Sequence, residues 1–260
     1  MIESRAATDW IGFKTIIIRE FSRIVRIWGQ TIVPPAVTAT LYFVIFGSLI
    51  GRRVGQVGGF DYMQFMAPGI IMMNVITTSY GNVVSSFFGA KFGKHIEELL
   101  VSPLPNWLIV AGYTMGGVLR GVLVGAVVTI ISLFFTRLSI THVLAIITAA
   151  FLTSFIFALG GLINALFAKN FDQISWFPTF VLQPLTYLGG VFYSVSMLPR
   201  WAHMASNGNP ILYMVSAFRF GFLGTSDVDL RLAYAIMISA ATVMFILAVT
   251  LLNRGTGIRE

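Results

Sequence analysis

The sequence predicts an all-α integral membrane protein of six transmembrane helices, and three observations lead there. Hydrophobic residues make up 57% of the 260-residue chain and charged residues only 10%. The mean hydropathy is +0.85. The apolar residues gather in runs of about 20 or more, the length that crosses the hydrocarbon of a bilayer as a helix. A soluble domain would carry about a quarter charged residues, so this chain needs lipid as part of its solvent and reads as one transmembrane domain over 1–260.

The elements follow in order. Over 10–28, Trp10, Phe13, Ile17, Phe21, Ile24 and Trp28 recur at steps of three and four, while Lys14, Arg19, Arg23 and Arg26 fall mostly elsewhere. This pattern predicts an amphipathic helix lying in the membrane interface with its cations near headgroups, or packed on the rest of the protein. The first span is read at 30–50, with Pro34 and Pro35 in its opening turns, followed by a glycine-rich turn over 52–61. A second span at 62–88 leads into a charged connection at 89–105 closed by Pro103 and Pro105. Spans three and four are read at 106–135 and 142–168, and span five at 174–193. A long segment, 194–229, precedes the last span at 230–252 and contains 211–223, which is apolar but too short to cross. A re-entrant or interfacial helix is the natural solution there. The first apolar run is of span length and no small-residue cleavage site follows it, so a cleavable signal is not expected.

With six spans the two termini share a side. Ten basic residues lie on that side: Arg5, Lys14, Arg19, Arg23, Arg26, Lys91, Lys94, Lys169, Arg254 and Arg259. Six lie opposite: Arg52, Arg53, Arg137, Arg200, Arg219 and Arg231. The excess places both termini in the cytoplasm. It also accounts for the net charge of +7 without nucleic acid.

Arg120 is the clear intramembrane charge, near the middle of the third span, where insertion costs about 2.5–3.5 kcal/mol. No acidic residue is read at that depth. Its partner is therefore a carbonyl, a polar side chain, water, another subunit or an anionic substrate. Gly112, Gly116, Gly117, Gly121 and Gly125 surround it as a close-packing face. Asn74, Thr78, Asn82 and Ser85 share one side of the second span, and the fifth carries Pro178, Gln183, Pro184, Thr186 and Tyr187. Such stripes either line a path or bond neighbouring helices.

Several classes lack their residues. There is no cysteine, and His95, His142 and His203 are far apart, so no metal site is expected. No phosphate-binding loop is present. Neither a membrane carboxylate pair nor a nucleophile–base arrangement is found. No catalytic residue is expected in this chain.

The stretch Lys91-Phe-Gly-Lys-His-Ile-Glu-Glu-Leu-Leu-Val-Ser-Pro-Leu-Pro105 is distinctive. So is Gly189-Gly-Val-Phe-Tyr-Ser-Val-Ser-Met-Leu-Pro-Arg-Trp201, followed by Asn209-Pro-Ile-Leu-Tyr-Met-Val-Ser-Ala-Phe-Arg219. Together they resemble the membrane subunits of type-2 ABC transporters, the drug, polysaccharide and lipid exporters, and within them the YadH-like bacterial permeases. The resemblance covers essentially the whole chain. It implies an inner-membrane homodimer bound to two copies of a separate ATPase, which holds the ATP and magnesium, and an efflux function for this permease. It further implies that 91–105 is a cytoplasmic coupling helix docking on the ATPase through Lys91, Lys94, His95, Glu97, Glu98 and Pro103. The N-terminal helix corresponds to the family's connecting helix. Asn209, Pro210 and Arg219 match an extracellular gate within 194–229. The second and fifth spans would line the path with Asn74, Thr78, Asn82, Gln183 and Tyr187, and Arg120 is added as a candidate for an anionic substrate. The rival readings are a gradient-driven transporter or channel and a non-transporting membrane scaffold.

Overall fold

A computed structural model describes residues 2–257; Arg259 and the side chains of Arg5 and Arg52, counted above, lie outside the described residues. Among the described residues the chain is mostly helical, with one two-stranded hairpin, β1 (Gln56–Val57) against β2 (Phe60–Asp61). Gly58 and Gly59 turn it with φ of 60° and 84°, which glycine adopts without the Cβ clash that penalises other residues.

α1 spans Ile2–Arg26, and α2 starts at Trp28 and runs to Tyr42 before widening into π-helical turns over Phe43–Gly51. α3 is the short Arg52–Val54. α4, Tyr62–Phe92, is the longest helix and the hub of the bundle. It packs against α6 (Asn106–Ser132), α7 (Val143–Phe167) and α11 (Pro210–Leu223). Most of its side chains are buried, from Phe65 to Phe88. Between α4 and α6 sits the seven-residue α5, His95–Val101. α8 (Phe171–Phe177) and α9 (Gln183–Tyr187) are two α-helical pieces joined through a wider turn over Pro178–Leu182. α10 (Arg200–Asn207) leads into α11, and α12 (Leu230–Asn253) closes the fold.

The helix starts are written locally. Asp61 caps α4 by accepting from the Met63 amide at 3.3 Å, and Asp229 caps α12 by accepting from Arg231 at 2.7 Å. Asn209 does the same for α11 at Ile211, 3.0 Å, with Pro210 at the first helical position, where a missing N–H matters least. Gly224, in the left-handed region at φ 71°, ends that helix.

Among the described residues four helices are long and apolar enough to cross a membrane: Trp28–Gly47, Asn106–Ser132, Val143–Phe167 and Leu230–Asn253. α4 is longer than any of them, but Asn74, Thr77, Thr78, Asn82 and their polar neighbours dilute its hydropathy. The fifth expected span is the broken α8–α9 run, which ends at Tyr187 rather than Tyr193. Gly189 and Gly190 interrupt it, the second at φ 72°.

Three expectations need correction. α1 begins at Ile2 rather than Trp10, and of the expected apolar line only Ile24 is fully buried. Ile16, Glu20 and Ile24 are buried, and Gly12 meets Leu104, while Trp10, Phe21 and Trp28 remain exposed. The small residues of α6 select this face, since a Cβ on Gly112 would fall 2.7 Å from Ile16 and one on Gly116 2.7 Å from Glu20. The helix expected over 91–105 is confined to His95–Val101: α4 continues through Phe92, Lys94 adopts φ 58°, and Ser102 is extended ahead of Pro103. Finally, Arg120 is not the single charge inside the bundle, because Glu20 and Arg219 are both more deeply buried.

Candidate functional site

Three features carry the chemistry: an inner polar cluster, an outer ion pair and a polar groove. The inner cluster forms where α1, α2, α4 and α6 meet. Pro34 has no amide to offer the carbonyl four residues earlier, so Gln30 is left with an acceptor free. Arg120 donates to that carbonyl at 3.5 Å and to Asn82 Oδ1 at 3.5 Å. Arg23 donates to the same Asn82 Oδ1 at 2.6 Å and to the Asn82 carbonyl at 3.1 Å. The charge is met by Glu20, which pairs with Arg23 at 3.1 Å and accepts from Asn82 Nδ2 at 3.3 Å and from Ser86. Asn82 is thus the interhelical link of the polar stripe, with its amide oxygen turned to two guanidiniums and its NH2 to the carboxylate.

The sequence reading missed Glu20 altogether. It lies between Arg19 and Arg23, among the cations of the helix. The available signal was its step of four from Ile16 and Ile24, facing the glycines of α6.

Ser85 joins the inner cluster by accepting from Arg23 at 3.5 Å, whereas the earlier part of the stripe behaves differently. Thr78 bonds back to the Asn74 carbonyl at 2.6 Å and Asn74 to the Ile70 carbonyl at 2.9 Å, both within α4. Asn74 and Thr77 line a groove of about 250 Å³ whose other walls are Pro34, Pro35, Thr38 and Tyr42 of α2 and Gln183, Thr186 and Tyr187 of α9. The Tyr42 and Tyr187 hydroxyls meet at 3.1 Å, and Phe192 packs beside both rings. Asn74, Gln183 and Tyr187 therefore share one groove. Thr78, Asn82 and Arg120 do not line it.

At the other end, Arg219 is 1% exposed. It pairs with Asp227 at 3.0 Å, donates to the Gly190 carbonyl at 2.6 Å and to the Phe65 carbonyl at 3.2 Å, and stacks its guanidinium 3.8 Å from the Phe65 ring. Asn209 caps α11 and also donates to the Leu185 carbonyl at 2.6 Å. The Gly-Gly loop is drawn onto α4, where a Cβ on Gly69 would lie 2.5 Å from the Val191 carbonyl oxygen. Asn209, Pro210 and Arg219 are thereby brought into one assembly joining α4, α9 and α11.

Around α5, Ile96 is buried while Lys94, His95, Glu97, Glu98 and Pro103 are exposed. Lys91 stands apart. It donates to the carbonyls of Leu166 and Ala168, both at 2.7 Å, neutralising the C-terminal end of α7. Lys91, Lys94 and Glu97 nevertheless border a common cleft with Lys169 and Gly257. Among the described residues no cluster of metal-binding side chains occurs.

A bundle of membrane-length helices around a polar groove is the frame of a multi-pass membrane protein. The model of the ABC-2 type transporter family matches residues 11–223, and the chain belongs to that family. It is 52% identical over 251 residues to the inner membrane transport permease YadH of Escherichia coli K12, covering 96% of this chain and 98% of that one. It is also similar to nodulation protein J of Rhizobium leguminosarum bv. trifolii, at 27% identity over 218 residues and 82% of each chain. The chain is a transport permease of the inner membrane, and its family normally pairs such a permease with an ATP-binding subunit.

Proposed function

We propose that the chain is the non-catalytic permease of an ATP-driven exporter, working as a homodimer with a separate ATPase that holds ATP and magnesium. In this reading α4 and the α8–α9 run are crossings alongside the four apolar helices, giving six spans with both termini in the cytoplasm. The substrate is hydrophobic, lipid-linked or polysaccharide-like, and it passes by alternating access. The groove between α2, α4 and α9 supports that assignment, since its amides, hydroxyls and tyrosine rings suit an amphipathic molecule with hydrogen-bonding groups. Asn74, Gln183 and Tyr187 are its contacts. Arg120 lies outside the groove and works as a positioning residue through Asn82. The Arg219 assembly is the outer gate, with Asn209 and Pro210 setting the start of its helix.

The observation that carries the reading is α5. Its seven residues are pinned by Ile96 and present His95, Glu97 and Glu98 outward, immediately after the hub helix ends. A short helix held at both ends by Lys94 and Pro103 transmits a push from a docked partner to α4 as a stiff lever. The experiment is Glu97→Lys with Glu98→Lys, assayed by co-purification of the ATPase and by export. Loss of ATPase association with an unchanged oligomer and folding profile is expected. Unchanged association and export would remove α5 from the coupling role. Purification of a clean homo-oligomer without any ATP-binding subunit, repeated in nanodiscs, would overturn the reading as a whole.

A further inference from the structure

A second, chemically opposite groove opens between α6 and α7, away from the path proposed above. It holds about 340 Å³. Val122 and Ala126 form one wall, Ile147 and Phe151 the other, and Ile71 of α4 and Phe218 of α11 form the floor. Thr129 is the single polar side chain in its lining among the described residues, and its hydroxyl is already bonded to the Gly125 carbonyl at 2.7 Å. Water needs two to four polar partners to stay in a cavity, so this space does not retain it. Left empty, the lining would forfeit its dispersion contacts on one side.

The mouth indicates what fills it. Val122, Ile147 and Phe151 are 43%, 59% and 40% exposed at the rim, and both flanking helices are membrane-length. The groove is therefore continuous with a lipid-facing surface. The loop joining the two helices begins one turn above Thr129 and ends one turn above Ile146. In that loop Arg137 is exposed, and no hydrogen bond or ion pair among the described residues engages its guanidinium. A hydrocarbon slot whose two walls run into a loop carrying an exposed cation offers contacts for the two ends of one molecule.

We propose that this groove is a resident phospholipid site, with one acyl chain inserted between α6 and α7 as far as Ile71 and Phe218 and its phosphate on Arg137. A tail gains no hydrophobic free energy by leaving the bilayer for a protein groove. Residence comes instead from filling the void and from the guanidinium–phosphate contact. Phe218 precedes the buried Arg219, so the tail abuts the element that joins α11 to α4 and acts as a spacer behind it.

The test is native mass spectrometry of the full chain, with whatever subunits co-purify, released from nanodiscs of phosphatidylethanolamine and phosphatidylglycerol after detergent washing. The wild type is expected to retain one phospholipid per chain. Ala126→Phe, which fills the mouth from an exposed position, lowers that occupancy about tenfold. Val243→Phe, an equally lipid-facing position on α12, leaves it unchanged, and Arg137→Gln lowers it for phosphatidylglycerol. If Ala126→Phe yields no folded protein, Ala150→Leu is read in its place. The proposal is overturned by a wild type retaining no lipid or by retention unaltered in Ala126→Phe. Equal losses in Ala126→Phe and Val243→Phe, which mark ordinary boundary lipid, also overturn it, as does a retained molecule other than a phospholipid, which would assign the groove to cargo. Unaltered phosphatidylglycerol retention in Arg137→Gln overturns the headgroup placement.

Discussion

The inner and outer polar assemblies both hold arginine within the bundle, and they hold it in opposite ways. Arg219 has a carboxylate of its own, two carbonyls at 2.6 and 3.2 Å and an aromatic face, so every side of its guanidinium is engaged. Arg120 shares Asn82 with Arg23, shares the nearby carboxylate of Glu20 with it, and reaches both its acceptors only at 3.5 Å. Two guanidiniums face one carboxylate in the Arg120 cluster, while one faces one in the Arg219 cluster. A fully satisfied ionic cluster is costly to open, whereas a charge-unbalanced one with long bonds has neighbouring arrangements of similar energy. The Arg219 pair is held on every side, whereas Arg120 is held by its longer bonds, at the place where α1 meets the hub helix.

The comparison breaks most easily at Arg219. Arg219→Gln leaves Asp227 without its cation and two carbonyls without a strong donor, so a loss of about 3–5 kcal/mol is expected. Thermal unfolding in detergent measures it. Arg219→Gln with Asp227→Asn should lose less than the sum of the two single changes, because the unpaired charge is gone. A loss below about 1 kcal/mol in the single variant would contradict so complete a hold.

The next effect in size is at Glu20. Glu20→Gln removes the one carboxylate between Arg23 and Arg120, but Arg23 is 25% exposed and water screens part of the repulsion. About 1–3 kcal/mol is expected. Hydrogen exchange should locate it, with faster exchange in α1 and unchanged protection in α11. The two clusters share no partner, so Glu20→Gln and Arg219→Gln should add to within about 0.5 kcal/mol. A larger coupling would mean that the two ends communicate through α4.

Much of this architecture was legible because membrane helices announce themselves by length and apolarity. α6, α7 and α12 fall within a few residues of their sequence bounds, whereas the helix containing α5 was implied by the family resemblance, the residues alone giving a charged connection closed by prolines. What could not be read depends on a partner far along the chain. Glu20 is buried because Gly116 lets α1 approach, and nothing local to Glu20 says so. Arg219 was assigned to the outer side by counting loops, yet Phe65 and Gly190, from distant parts of the chain, enclose it. The wide turns after Tyr42 are an adjustment of backbone winding that side-chain periodicity does not report, whereas the break at Pro178 falls in the span that its two prolines mark as kinked. The groove residues were half legible: the stripe on α4 was visible, but its division between groove and cluster depends on where α2 and α6 sit.

The smallest expected change is at Arg120. Arg120→Gln keeps an amide near Asn82 and Gln30 and loses only bonds at 3.5 Å, so less than about 1 kcal/mol of stability should disappear. Its origin can be isolated, because the Gln30 acceptor is free only on account of Pro34. Pro34→Ala restores an amide to that carbonyl. If Arg120 acts chiefly as the donor to Gln30, Arg120→Gln in the Pro34→Ala background should be milder in stability than in the native one. If its work lies in holding Asn82 between two guanidiniums, the background makes no difference to stability. In that case export should fall in both, with ATPase association intact. Measuring stability and export together separates the two, since a carbonyl cap moves the first and a link to α4 moves the second.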